Sequence, residues 1–168
     1  MKFELLDKIE SLDDKKIVAS KTVSAAEEYL ADHFPSFPVL PGVMMLEALT
    51  QAASWLLQRR RQFARTMVVL KEARNVRYGT FVAPGDTLKV EVEFVKDVAP
   101  NGGATFKAVG TVNGEQALSA RLELAYFSLA DHSPELAELD KKIAQHTQSR
   151  WTVLGRTLQN AEATSLSL

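Results

Sequence analysis

Charged and apolar residues alternate along Lys89-Val90-Glu91-Val92-Glu93-Phe94-Val95-Lys96, which predicts a strand with one wet face. Three further segments, Met67 to about Arg77, Ala104 to Val112 and Gln116 to Phe127, read as strands around it. Pro84-Gly85-Asp86, Pro100-Asn101-Gly102-Gly103 and Asn113-Gly114 separate them as turns. Lys16 to Val23 is rich in β-branched residues and gives one more strand near the start.

The pattern changes between these strands. Ser24, with Glu27 three positions on, predicts a capped short helix over Ala25 to Ala31. Gly42 opens the strongest helix in the chain, Val43 to about Arg61, about 28 Å long at 1.5 Å per residue. It is apolar on nearly every side as far as Leu57, so it is expected to run through the middle of a domain. Arg59-Arg60-Arg61 then end it, cations at the negative end of the helix dipole. After Phe127 the composition shifts. Ser133-Pro134-Glu135 starts another helix, with Leu136, Leu139 and Ile143 as its apolar stripe, and beyond Gln148 the chain thins into polar residues. Residues 1–128 therefore form one domain and 129–168 a helical extension.

The 168 residues suffice for one well-buried core, and the fold class is α+β, an antiparallel sheet about one buried helix. With no cysteine there is no disulfide, thiolate nucleophile or zinc ribbon, and a cytoplasmic location is expected. Twenty basic against twenty-one acidic residues argue against a general nucleic-acid binder. The longest uncharged stretch, His33 to Leu46, is broken by three prolines and cannot span a membrane.

The candidate chemistry lies in that stretch. His33 precedes a loop stiffened by Pro35, Pro38 and Pro41, and Glu47 follows fourteen positions later on the apolar helix. Val43, Met44, Thr50 and Gln51 occupy the neighbouring helical positions, so no cation on its own helix can pair with Glu47. Burial without a counter-ion favours the protonated form that a general acid needs, whereas a solvent-facing seam would make Glu47 an ordinary surface carboxylate. Imidazole can take and return a proton near neutral pH, which suits His33 to the base. Gly42 is a turn glycine whose N–H, at the positive end of the helix, can also polarise a carbonyl oxygen. His132 and His146 read as surface residues of the extension.

The run His33-Phe34-Pro35, Pro38, Pro41-Gly42-Val43, then Glu47-Ala48 and Gln51, resembles the β-hydroxyacyl-acyl-carrier-protein dehydratases of the FabZ type. Glu72-Ala73-Arg74, Pro84-Gly85-Asp86 and Phe3-Glu4-Leu5-Leu6-Asp7-Lys8-Ile9 agree with it, so the resemblance covers about residues 3 to 127. It implies a hot-dog fold, a long central helix wrapped by an antiparallel sheet, in a homodimer or a trimer of dimers. The histidine of one subunit would face the glutamate of the other.

His33 would then remove the C2 proton of a (3R)-hydroxyacyl thioester, Glu47 would protonate the departing hydroxyl, and Gly42 would hold the thioester oxygen. Phe34, Phe37, Pro41, Val43 and Gln51 would line the substrate site, and no metal or other cofactor would take part. The partner implied is acyl carrier protein, met by basic residues among Arg59, Arg60, Arg61, Arg65, Lys71, Arg74 and Arg77. The family usually has glycine where this chain has Asp32, and commonly glycine and a basic residue where it has Ser36-Phe37. A non-catalytic acyl- or carrier-binding module and a thioesterase on the same fold are the alternatives.

Overall fold

Six strands form a single antiparallel sheet in the order β1-β2-β4-β5-β6-β3, in a computed structural model that describes residues 3–34, 36–98, 102–156 and 158. The strands are β1 Lys8–Leu12, β2 Lys16–Thr22, β3 Met67–Tyr78, β4 Thr87–Val98, β5 Gly103–Val112 and β6 Glu115–Phe127. Helices α1 Glu28–Asp32 and α2 Gly42–Arg60 lie between β2 and β3, and α3 Ala137–Leu154 follows two short 3₁₀ turns after β6. The hot-dog arrangement expected from the sequence is the one found. Part of the Pro100 turn and the tail from residue 159 lie outside the described residues.

Strand β4 shows why the sheet forms as it does. Leu88, Val90 and Val92 are fully buried toward α2, while Lys89, Glu91 and Glu93 between them face water. Helix α2 meets that layer with Ala48, Leu49, Ala52, Ala53 and Leu56, whose alanines let its backbone lie close to the sheet. Phe106, Leu118, Leu122 and Leu124 complete the layer from β5 and β6. Asn113 and Gly114 both have positive φ, 53° and 85°, which is how a two-residue turn joins β5 to β6 with the twist the strands require.

Three expectations need correction. Helix α2 is buried on one side rather than all round: Val43 is 70% exposed, and Met44, Leu46, Glu47, Gln51, Ser54 and Trp55 are half-buried. The short helix begins at Glu28, not Ala25. The Glu27 carboxylate binds the buried Lys21 ammonium at 2.5 Å instead of closing a capping box, and Ser24 Oγ accepts from the Ala26 N–H. On α3 the expected stripe is not its packed face, since Leu136 and Leu139 are exposed. Its aromatic contacts come later in the helix, where Trp151 stacks between Trp55 and Phe63 with ring centroids 5.8 and 5.7 Å away.

Strand β1 is absent from the expectations. Only five residues long, it carries charges at Lys8 and Glu10 that hide its alternation. The Asp13 carboxylate fixes the turn after it by accepting from the N–H groups of Lys15 and Lys16 at 2.7 and 2.8 Å.

Candidate active site

His33 caps the C-terminus of α1 with its backbone extended, at φ −99° and ψ 100°. The loop that follows is tight. Phe34 has φ of 53°, uncommon for a bulky side chain, and its carbonyl accepts from the Phe37 N–H at 2.7 Å. Val39 and Leu40 are buried, and Leu40 N–H donates to the Val82 carbonyl at 2.8 Å, so the far end of the loop is anchored in the core.

This anchor sets the state of the imidazole. His33 Nδ1 lies 3.0 Å from the Val39 carbonyl oxygen. A carbonyl only accepts, so Nδ1 must carry the hydrogen. In the neutral ring the proton-accepting nitrogen is then Nε2. The ring also meets Phe34 edge to face at 4.4 Å between centroids, which restrains its tilt.

Glu47 sits a turn and a half into α2 and is half-buried. Its Oε1 accepts from Gln51 Nε2 at 2.9 Å. Gln51 also donates to the Phe3 carbonyl at 2.6 Å and accepts from the Leu5 N–H at 3.0 Å, so the carboxyl is positioned by an amide that is itself held at both ends. No hydrogen bond or ion pair among the described residues joins His33 to Glu47 within one chain.

Gly42 begins α2 behind Pro41, whose carbonyl takes the N–H groups of Met44 and Met45. The Gly42 N–H has no carbonyl one turn back within the helix to receive it. The residue is packed beneath the Tyr78 ring: a Cβ there would stand 2.7 Å from Tyr78 Cε1. This contact, and not the backbone angle, is what favours glycine here.

Around these groups the surface is unusually apolar. Phe34, Phe37, Val43, Tyr78 and Phe81 are each more than half exposed, and Phe37 meets Phe81 edge to face at 5.7 Å. Exposed aromatic side chains beside a base mark a surface that something covers. Tyr78 and Phe81 were not foreseen as part of this region, because nothing local distinguishes them from strand residues.

The proposed basic patch is largely occupied by acidic and backbone partners. Arg60 binds the Asp14 carbonyl and lies over the Phe94 ring, Arg61 pairs with Asp97, Arg65 with Asp131, Lys71 with Glu123, and Arg74 with Glu72. Arg59 and Arg77 have no acidic partner among the described residues. His146 is exposed and 3.7 Å from Glu4, as expected for a surface residue. Among the described residues no helix is long and apolar enough to cross a membrane, and no group of three metal-binding side chains is present.

Residues 1–121 match the model of the FabA-like domain family. Over 124 residues the chain is 39% identical to a protein of Clostridium perfringens (strain SM101 / Type A) named 3-hydroxyacyl-[acyl-carrier-protein] dehydratase FabZ, covering 73% of this chain and 87% of that one. A Bacillus thuringiensis (strain Al Hakam) protein of the same name is 37% identical, with coverage of 73% and 85%. Among solved structures, the dehydratase heterocomplex ApeI:P from Xenorhabdus doucetiae superposes with a TM-score of 0.64 at 18% identity, over 80% of this chain and 90% of that one. A hypothetical thioesterase from Streptococcus pneumoniae, solved with coenzyme A, gives 0.56 at 14% identity, with coverage of 72% and 85%. These two likenesses concern the fold alone.

Proposed function

We propose, from the premise that the chain belongs to the FabA-like domain family, that it dehydrates 3-hydroxyacyl thioesters carried on acyl carrier protein, with His33 as base and Glu47 as acid. The reaction belongs to fatty-acid or related acyl-chain biosynthesis, as the names of its FabZ relatives support. The observation that carries the assignment of roles is the His33 Nδ1–H bond to Val39, which leaves Nε2 to accept a proton.

Nε2 of His33 takes a proton from C2 as enolate character grows on the thioester. The Gly42 N–H, at the positive end of α2, meets the charge developing on the thioester oxygen. Glu47 gives its proton to the C3 hydroxyl, the C–O bond breaks, and water leaves a trans-2-enoyl thioester. Exchange with solvent then returns a proton to Glu47 and removes one from His33. Gln51 keeps the Glu47 carboxyl aimed during these steps. Phe34, Phe37, Pro41 and Val43 form the apolar border that excludes water from the reacting carbons.

His33 and Glu47 do not meet within one chain, which supports a site completed by a second copy. Strand β3 is the edge that would join the copies. It is twelve residues long, ends the sheet and leaves Val69 and Leu70 exposed. Pairing of β3 with its counterpart would satisfy its open backbone groups and bring the two α2 helices together. Homodimers, or a trimer of dimers, are the proposed assembly, and the cytoplasm the proposed location, since no cysteine demands an oxidising compartment.

The test is direct. A 3-hydroxyacyl thioester mixed with the protein should develop enoyl absorbance with no release of free thiol. Thiol release without enoyl product would indicate a thioesterase, and binding without either product a carrier-binding module.

A further inference from the structure

A cavity of about 230 Å³ lies between α2, the start of β3 and α3. One of its walls, with Thr147 and Leu154, comes from α3 and so falls outside residues 1–121 that match the family. On α2 it is lined by Gln51, Ser54, Trp55 and Gln58, which continue the stripe on which Glu47 stands. Gln51 also touches the Glu47 carboxyl, so the cavity begins one side chain from the proposed acid.

Gln58 makes this more than a packing gap. It is 5% exposed, and its amide orientation is fixed by the groups around it. The Tyr126 hydroxyl accepts the Arg65 N–H at 2.8 Å, so its own hydrogen goes to an acceptor, Gln58 Oε1, at 3.3 Å. That turns Gln58 Nε2 away from Tyr126, and among the described residues Nε2 has no hydrogen-bond partner. Gln58 lines the cavity, so its amide N–H groups are available there to water or to a ligand oxygen. Trp55, Val68 and Leu154 supply apolar walls beside it.

We propose that this cavity receives the far end of the acyl group, and that Gln58 Nε2 there donates to a neutral oxygen carried on that end, a ketone, hydroxyl or ether. The proposal rests on the dehydratase reading and names the substrate class for it. A carboxylate tip is disfavoured, because the cation at the rim, Arg150, is already 3.0 Å from the Glu4 carboxylate. The size is adequate: a cavity of about 150 Å³ accommodates benzene. Gln58 stands about 16 Å along the helix from Glu47 at 1.5 Å per residue. An extended chain advances about 3.5 Å for every three bonds, so a tail of roughly a dozen or more atoms beyond C3 reaches the amide.

Three 3-hydroxyacyl pantetheine thioesters test this: a short one, and two long ones of equal length, tipped with a methyl or with a ketone. The full-length protein should favour the ketone tip by about fivefold or more in kcat/KM, and Gln58→Met should abolish that preference. Binding gives a second readout, because Trp55 lines the cavity and Trp151 stacks behind it, and these are the only two tryptophans in the chain. The ketone-tipped chain should change tryptophan emission at lower concentration than the methyl-tipped one. Thr147→Phe, made from the α3 side, should weaken both long chains if Gln58→Met does not fold. Equal kcat/KM for the two tips, with the short thioester turned over, would overturn the pocket and leave the dehydratase standing. If no thioester is turned over the dehydratase reading falls, and equal emission titrations would then overturn the pocket as well.

Discussion

The Nδ1–H of His33 donates to the carbonyl of Val39 across a 3.0 Å separation, and Val39 is buried while His33 is only half-buried. The base is thus oriented from the core side and leaves its other nitrogen toward the open side. Replacing His33 with alanine removes the proton acceptor without opening the core. Turnover of a 3-hydroxyacyl thioester should fall by about 10²–10⁴, with the melting temperature nearly unchanged. A rate within a few-fold of the parent would remove His33 from the mechanism.

Glu47 and Gln51 should separate acid chemistry from positioning. Glu47→Gln keeps the shape but cannot donate an acidic proton, so kcat should drop by about 10²–10⁴ while the fold persists. Gln51→Leu leaves the Phe3 carbonyl and Leu5 N–H without their partner as well as freeing the carboxyl. It should therefore lower stability by about 1–3 kcal/mol and reduce kcat more than it raises KM. Denaturant unfolding beside steady-state kinetics distinguishes the two, and a Gln51→Leu protein with parental stability would contradict the tie.

At Gly42 even one methyl group is too large for the present packing, since it would stand 2.7 Å from Tyr78 Cε1. Tyr78 is half exposed and can swing outward, so Gly42→Ala should fold. The displaced ring and the shifted helix start should cost up to about 100-fold in kcat, the scale on which a 1 Å misplacement acts. Tyr78→Ala in the same background should recover part of the loss by removing the obstruction. No recovery would mean that the contact is not the cause.

Much of this was legible because it is local. The alternation of β4, the turn residues and the long apolar run of α2 each report an element through its own period. Pro35, Pro38 and Pro41 predict a stiff loop after His33, and Pro35 itself lies outside the described residues. What stayed hidden depends on contacts between distant segments. Glu27 satisfies the local pattern of a capping box, yet the buried Lys21 six residues earlier competes for its carboxylate and wins. Arg60, Arg61 and Lys71 look like a basic patch until Phe94, Asp97 and Glu123 are folded against them. The packed face of α3 is set by aromatic stacking at Trp151, which the spacing of Leu136, Leu139 and Ile143 does not encode.

Internal pairing changes which charges can meet an acidic carrier protein. Arg61 is already neutralised by Asp97, whereas Arg59 is exposed and has no acidic partner among the described residues. Arg59→Glu should raise KM for carrier-linked substrate several-fold at low salt, with the difference fading as ionic strength approaches 1 M. The KM for a pantetheine-linked substrate should stay the same. An equal rise for both substrates would place the effect in the fold rather than at a docking surface.

The attachment of α3 depends on Asp140, a carboxylate that is nearly buried and accepts from the Leu129 and Ala130 N–H groups at 3.1 and 2.8 Å and from the Thr66 hydroxyl. Burial alone would push this carboxyl up, but the three donors outweigh it and hold it below its ordinary value of 3.8. Such a group contributes stability that is complete above pH 3.8 and is lost as pH falls through the lower folded value. Tryptophan emission, which reports the Trp55–Trp151 stack, should therefore hold steady from neutral pH to about 5 and shift only in stronger acid. The Asp140 contribution is read as the difference between the parent and Asp140→Asn. An asparagine amide must turn a donor toward one of the backbone N–H groups, so the variant should have a loosened α3 already at pH 7 and a smaller acid shift. Identical emission in the two proteins across the whole titration would show that α3 is held by its aromatic contacts alone.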